Sequence, residues 1–175
     1  MTRILVDIDD TLFNLVPNWL KVYNFYENDN LQPEDITDYD ISLFSKNGNV
    51  IYKYLYPTLY NSKDIIPGAL WGINELRNAG YEIYFVTSNG WNMGVKYKWL
   101  ERNGFNPDKK HYFECGDRSL ILCDYLIDDN YFSVLSTEGK GILFSQHWNM
   151  KNDYDTRVSG WFDLIHKFET GEING

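Results

Sequence analysis

Apolar residues recur along this chain in two patterns: short runs that end in polar or acidic residues, and longer stretches in which they return every three to four positions. Ile4, Leu5 and Val6 form the first run, which predicts a short buried strand over 3–8 with an acidic end. Over 15–26, Leu15, Trp19, Tyr23 and Tyr26 fall on one helical face, Pro17 fits the first turn, and Asn28-Asp29-Asn30 ends the helix. Between Leu31 and Asp64 the pattern weakens. Pro33 and a mixture of Asp, Thr and Tyr are loop-like, and short helical stretches are expected at 41–45 and 50–56, on either side of Asn47-Gly48-Asn49. This segment has no strand alternation and reads as a small helical insertion.

Regular alternation resumes at Ile66-Pro67-Gly68, which opens a helix with Leu70, Ile73 and Leu76 on one face and Gly80 at its end. A strand over 81–86, a helix over 92–103 closed by Gly104, and strands at 111–115 and 126–127 follow. The last of these runs directly into Asp128-Asp129. A short helix over 131–135, a strand over 141–144, an amphipathic helix over 161–168 and a frayed tail from Thr170 complete the chain. Strands separated by helices predict an α/β fold: a Rossmann-like, parallel five-stranded sheet with helices on both faces and a small helical cap insertion. The expected division is a core of 1–13 and 66–175 and a cap of 14–65. In such sheets ligands bind at the carboxyl ends of the strands, where the strand order reverses.

The length of 175 residues suits one domain, and 43% hydrophobic residues suit a folded globule. Aromatic residues reach 17%. They supply a Tyr-rich core and surface, or in part a pocket that stacks a flat ligand. The formal net charge of −9 repels polyphosphate backbones, so polymeric nucleic acid is not an expected partner. Cys115 and Cys123 make neither a disulfide framework nor a zinc site. Met1-Thr2-Arg3 leads straight into the first strand rather than into a signal peptide, and no apolar run approaches the ~20 residues of a membrane span. A cytoplasmic protein with no membrane partner is the expectation by elimination. The sequence is compatible with a homodimer.

The strongest chemical signal is Asp7-Ile8-Asp9-Asp10-Thr11-Leu12, directly after the first strand. Asp7 and Asp9 lie two apart, on one face if the segment is extended, and make a hard-oxygen site suited to Mg2+. Thr11 and Leu12 exclude a calcium EF-hand loop. The competing explanation is an acidic turn that caps the next helix. Asp128 and Asp129 repeat the arrangement: adjacent carboxylates repel each other, and a bound dication removes the difficulty. Val86-Thr87-Ser88-Asn89-Gly90 places hydroxyls and free backbone N–H groups before a helix, as an anion site or as an ordinary helix cap. Lys96, Lys98 and Arg118 are the nearby cations, and an acid-rich site needs cations to hold a dianionic phosphate.

These motifs, in this order, resemble the haloacid dehalogenase-like phosphatase superfamily. Asp7-Ile8-Asp9-Asp10-Thr11 matches the first motif, Thr87 the second, Arg118 the third and Asp128-Asp129 the fourth. Within it the chain is similar to the 5′(3′)-deoxyribonucleotidase family. That likeness rests on the insertion after the first motif, Ile66-Pro67-Gly68-Ala69, Thr87-Ser88, Lys96-Tyr97-x-Trp99, Arg118, Leu126-Ile127-Asp128-Asp129, and Leu143-Phe144 with Asn149 beyond. Relatives often carry Lys where Arg118 stands; the charge is kept and the geometry differs.

The resemblance implies a Mg2+-dependent phosphomonoester hydrolase acting on a small nucleotide. Asp7 would be the nucleophile and Asp9 the acid and base. Asp7, the Asp9 backbone carbonyl, Asp128 and Asp129 would bind metal, and Thr87, Ser88, Lys96 and Arg118 would bind phosphate. A phosphatase of another small phosphoester, such as a sugar phosphate, and a catalytically silent relative that binds phospho-ligands are the alternatives. Tyr39, Phe44, Tyr52, Tyr54 and Tyr56 in the insertion, and Trp91 and Trp148 on loops, are the aromatic faces that could meet a base or simply pack together.

Overall fold

The structure, a computed structural model, describes residues 1–88 and 94–173. Strands β1 (Arg3–Asp7), β2 (Glu82–Thr87), β3 (Tyr112–Glu114), β4 (Tyr125–Asp128), β5 (Lys140–Phe144) and β6 (Arg157–Val158) form one parallel sheet in the order β3-β2-β1-β4-β5-β6. Helices α1 (Leu15–Glu27), α2 (Ala69–Asn78), α3 (Val95–Arg102), α4 (Tyr131–Ser136) and α5 (Trp161–Thr170) join and flank them. The period of two sorts each strand onto two faces. Ile4, Val6, Ile83, Phe85, Ile127, Ile142 and Phe144 enter one buried cluster. Leu5, Val86, Leu126 and Leu143 enter a second on the other side.

The sheet has six strands where the periodicity predicts five. The extra one, β6, is two residues long and too short to show alternation. It is placed by β5, through the registers Leu143 with Arg157 and Phe144 with Val158. The chain end also differs from expectation. α5 runs to Thr170, and Ile173 is buried, its carbonyl accepting a hydrogen bond from Lys140 Nζ at 2.8 Å.

Helix α1 buries Leu15, Val16, Trp19, Leu20 and Tyr23. At about 1.5–3 kcal/mol for each large apolar side chain, this face fixes the helix to the body. Asn28 ends the helix in the left-handed region, with φ of 50°. Tyr26 lies on the outer side of the last turn, exposed and stacked on Tyr54 with ring centres 5.6 Å apart, not on the buried face that the pattern predicts.

The stretch from 31 to 64 contains no α-helix. Its turns are 3-10: Pro33–Asp35, Ile41–Leu43, Gly48–Tyr54 and Pro57–Asn61. Prolines and local Asp caps, such as Asp40 accepting from Ser42 N at 3.1 Å, favour these tight turns over longer helices. The segment leaves and returns at one place. Asn14 N donates to the Asp64 carbonyl at 3.0 Å, Ile66 N to the Leu12 carbonyl at 2.8 Å, and Phe13 bridges to Ile65. Its buried residues Ile36, Ile51 and Leu59 belong to the same cluster as the sheet and α2.

Two close approaches lock the motif-one loop. A Cβ added to Gly72 on α2 would lie 2.4 Å from the Trp161 ring on α5, so only glycine lets the helices meet there. The indole of that fully buried Trp161 donates to the Thr11 carbonyl at 2.8 Å.

Candidate active site

β1 lies between β2 and β4, and the strand order reverses at β1 and β4. The crevice beyond their carboxyl ends is where such sheets bind ligands. Val6 pairs with Ile127, so Asp7 and Asp128 follow side by side at the strand ends. Asp7 pairs with Val86, so Thr87 stands one step beyond on the other side.

Asp7, Asp128 and Asp129 each offer a carboxylate oxygen within 4.8 Å of the others. All three are buried, and Arg118 lies among them with 5% exposure. Its Nη2 reaches Asp7 Oδ1 at 2.7 Å and its Nε reaches Asp128 Oδ2 at 3.2 Å. One guanidinium does not balance three carboxylates. Burial, then the Asp128 charge, push Asp7 well above the usual carboxylate range against the pull of Arg118. Burial also raises Asp128, with Arg118 opposing, and burial followed by the Asp128 charge raises Asp129 well above its ordinary value. A desolvated, under-compensated set of hard oxygens is the donor set that suits Mg2+.

Asp9 lines the same cleft but is not one of this triad. Its Oδ2 accepts from Lys96 Nζ at 2.5 Å and its Oδ1 from the Tyr60 hydroxyl at 2.6 Å. The same ammonium donates to Thr87 Oγ1 at 2.6 Å. Lys98, two residues along α3, is exposed. Ser88 lines the cleft. Asp10 takes the helix-capping part: its buried carboxylate accepts from Val16 N at 3.0 Å, at a φ of 53°. The acidic motif thus holds two cleft carboxylates, Asp7 and Asp9, and a structural cap.

The segment after β5 supports the motif-one loop and Asp129. Gln146 Nε2 donates to the Asp10 carbonyl at 2.6 Å, Trp148 Nε1 to Asp129 Oδ2 at 2.7 Å, and Asn149 Nδ2 to the Asp129 carbonyl at 2.8 Å. Trp148 is therefore a buried support for Asp129, not a face for a base. Tyr39 reaches the site from the insertion. Its hydroxyl donates to the Asp129 carbonyl and accepts from Tyr131 N. Tyr52 and Tyr54 pack on Trp19 and Tyr23 of α1. Phe44 is half-buried against the core, and Tyr56 is exposed beside Tyr54. Trp91 lies outside the described residues.

Among the described residues, Asp7, Asp9, Asp10, Tyr39, Ser88, Arg118, Asp128 and Asp129 help to line a cleft of about 180 Å3, below the ~300 Å3 of the smallest ordinary ligand pockets and large enough for a phosphate. No described helix is long and apolar enough to cross a membrane.

The model of the family described as 5′ nucleotidase, deoxy (Pyrimidine), cytosolic type C protein matches residues 1–168. The chain belongs to this family. Curated relatives of this deoxynucleotidase-type chain include the 5′(3′)-deoxyribonucleotidase of Bacillus subtilis, 30% identical over 94% of this chain and 96% of that one. The 5′(3′)-deoxyribonucleotidase of Clostridium acetobutylicum is 29% identical over 90% and 89%. Solved structures share the fold. YfnB of Bacillus subtilis, described as a HAD-hydrolase and bound to magnesium, superposes with a TM-score of 0.62 at 14% identity over 96% of this chain and 98% of that one. CbbY of Rhodobacter sphaeroides in complex with phosphate gives 0.63 at 14% identity over 94% and 96%.

Proposed function

We propose that this chain is a Mg2+-dependent 5′(3′)-deoxyribonucleotidase that works through a phospho-aspartate on Asp7. The observation that carries the reading is the meeting of Asp7, Asp128, Asp129 and Arg118 at the ends of neighbouring strands, with Asp9 two residues from Asp7. The matching family and the printed names of its relatives supply the substrate class.

Asp7 attacks phosphorus as the bond to the sugar oxygen breaks, and Asp9 gives that oxygen a proton. In the second half Asp9 takes a proton from water as the water attacks the phospho-aspartate, which frees phosphate and Asp7. Asp7, Asp128 and Asp129, with the Asp9 backbone carbonyl, would hold Mg2+, which when bound cancels the repulsion between a carboxylate and a dianion. Arg118, Lys96, Thr87 and Ser88 surround the phosphate. Arg118 and Lys96 are held by Asp7 and Asp9 before substrate arrives, so phosphate enters a site whose cations are already inside. Residues 14–65 act as a cap over this cleft, with Tyr39 and Tyr60 as their points of contact.

A second reading, a phosphatase of another small phosphoester, draws on the cleft among the described residues, whose volume of about 180 Å3 suits a phosphate. Phosphate release from ribo- and deoxynucleoside monophosphates and sugar phosphates, with Mg2+ and with EDTA, decides between them. Mg2+-dependent release favouring deoxynucleotides is expected. Preference for a base-free sugar phosphate selects the second reading, and release that survives EDTA removes the metal.

A further inference from the structure

Within the reaction proposed above, we propose that Tyr60 is a positioning residue for Asp9. It fixes which carboxylate oxygen exchanges a proton with the leaving group.

Tyr60 lies in the turn Pro57–Asn61, far from every acidic motif in sequence, yet it is buried with its hydroxyl 2.6 Å from Asp9 Oδ1. Three attachments hold it. Its ring lies on Phe13, centre to centre 4.9 Å. Phe13 itself bridges to Asp9. The Tyr60 carbonyl accepts from Arg102 Nη2 at 2.7 Å, and two residues on, the Ser62 carbonyl accepts from Trp99 Nε1 at 2.9 Å. Arg102 and Trp99 are on α3, the helix that carries Lys96, whose ammonium lies 5.6 Å from the centre of the Tyr60 ring. Tyr60 is thus anchored to the helix of the lysine and bonded to the carboxylate that the lysine holds.

A carboxylate at the end of a short side chain can turn about its last bond. With the phenol donating to Oδ1, the rotation is fixed and Oδ2 is the oxygen left for proton transfer. In this structure Oδ2 is covered by Lys96 Nζ, which also touches Thr87 Oγ1. A phosphate bound at Thr87 draws the ammonium toward itself and uncovers Oδ2. Once uncovered, Oδ2 takes up a proton from water, and that proton passes to the sugar oxygen as its bond to phosphorus breaks and the bond from Asp7 forms; the water that hydrolyses the phospho-aspartate returns a proton to Asp9.

The test separates positioning from packing by the leaving group. An alkoxide leaving group needs its proton in the transition state, whereas p-nitrophenolate leaves without one. We would measure kcat/KM for a deoxynucleoside monophosphate and for p-nitrophenyl phosphate in the wild-type chain and in Tyr60→Phe, which keeps the ring. Tyr60→Phe should lower the nucleotide value about 10–100-fold and change the ratio of the two substrates by at least about tenfold, the direction shared by Asp9→Asn. Equal losses on both substrates, or no loss on the nucleotide, would overturn the inference. Thermal melting of the variant reports folding independently, and Tyr60→Trp, which keeps a donor but misplaces it, should not restore the ratio. A wild-type chain that hydrolyses neither substrate overturns the phosphatase reading itself, and this inference with it.

Discussion

At the scale of single residues, the site is organised by charge that burial leaves under-compensated. Asp7, Asp128 and Asp129 share one guanidinium, and burial drives all three carboxyls upward in pKa. Asp7→Asn keeps the volume and hydrogen-bonding shape while removing both a charge and the nucleophile. We expect it to lower kcat by about 10^4-fold or more. Its metal-free melting temperature should not fall below that of the wild-type chain, because the change relieves repulsion among the acids. Mg2+ should raise the melting temperature of the wild-type chain more than that of the variant. Normal melting with substantial turnover would remove Asp7 from the nucleophile's place. The acid pairs and Thr87, Lys96 and Arg118 were legible as residues because each sits at a strand end or on the following helix. Tyr60 was not, since its partner is 51 positions away and its surroundings have no motif. Trp148 was visible as a residue but not as a support: nothing local says that a loop indole points at an acid across the sheet.

At the scale of elements, short contacts join pieces that periodicity treats separately. Asp29, just past α1, accepts from the Tyr23 hydroxyl at 2.7 Å, Asn30 N at 2.8 Å and Lys46 N at 3.1 Å. The first of its carboxylate oxygens serves Asn30, and the second ties the helix to the insertion. Desolvation raises this carboxyl, but the Tyr23 hydroxyl and the Lys46 and Asn30 amides outweigh it and hold the carboxyl below its ordinary value. A depressed carboxyl stabilises the fold above its unfolded pKa, and that contribution disappears as pH falls through the folded pKa. Asp29→Asn should therefore lower the melting temperature at neutral pH, with the difference from the wild-type chain shrinking steadily below about pH 4. Melting curves at a series of pH values check this, and a difference independent of pH would assign the effect to packing. The helices and longer strands followed from their periods of 3.6 and 2. β6 and the 3-10 turns did not, since two or three residues carry no period.

At the scale of the whole molecule, the buried cluster is continuous. Leu15, Trp19, Ile36, Ile51 and Leu59 of residues 14–65 belong to the same core as Ile4, Ile73, Phe85 and Trp161. A segment sharing its core with the body should unfold with it. Calorimetry should give one transition in which the calorimetric and van't Hoff enthalpies agree. A separate early transition would mean that 14–65 holds together by itself. The shared core also fixes Tyr39 against Asp129 and Tyr60 against Asp9, since both hang from a segment that the body holds in place.

The sequence by itself determined the class of fold, the strands that end in acids and the family, because these depend on local periodicity and on motifs a few residues long. It also placed the cations near the acids in order along the chain. Only the tertiary structure decided that β1 and β4 are neighbours, which turns two separate acid pairs into one site. It likewise decided that Tyr60 and Trp148 serve Asp9 and Asp129, that Tyr26 faces outward, and that Ile173 is buried. Each of these depends on which surfaces meet after the sheet is assembled, and contacts between residues far apart in the chain leave no period and no motif in either partner.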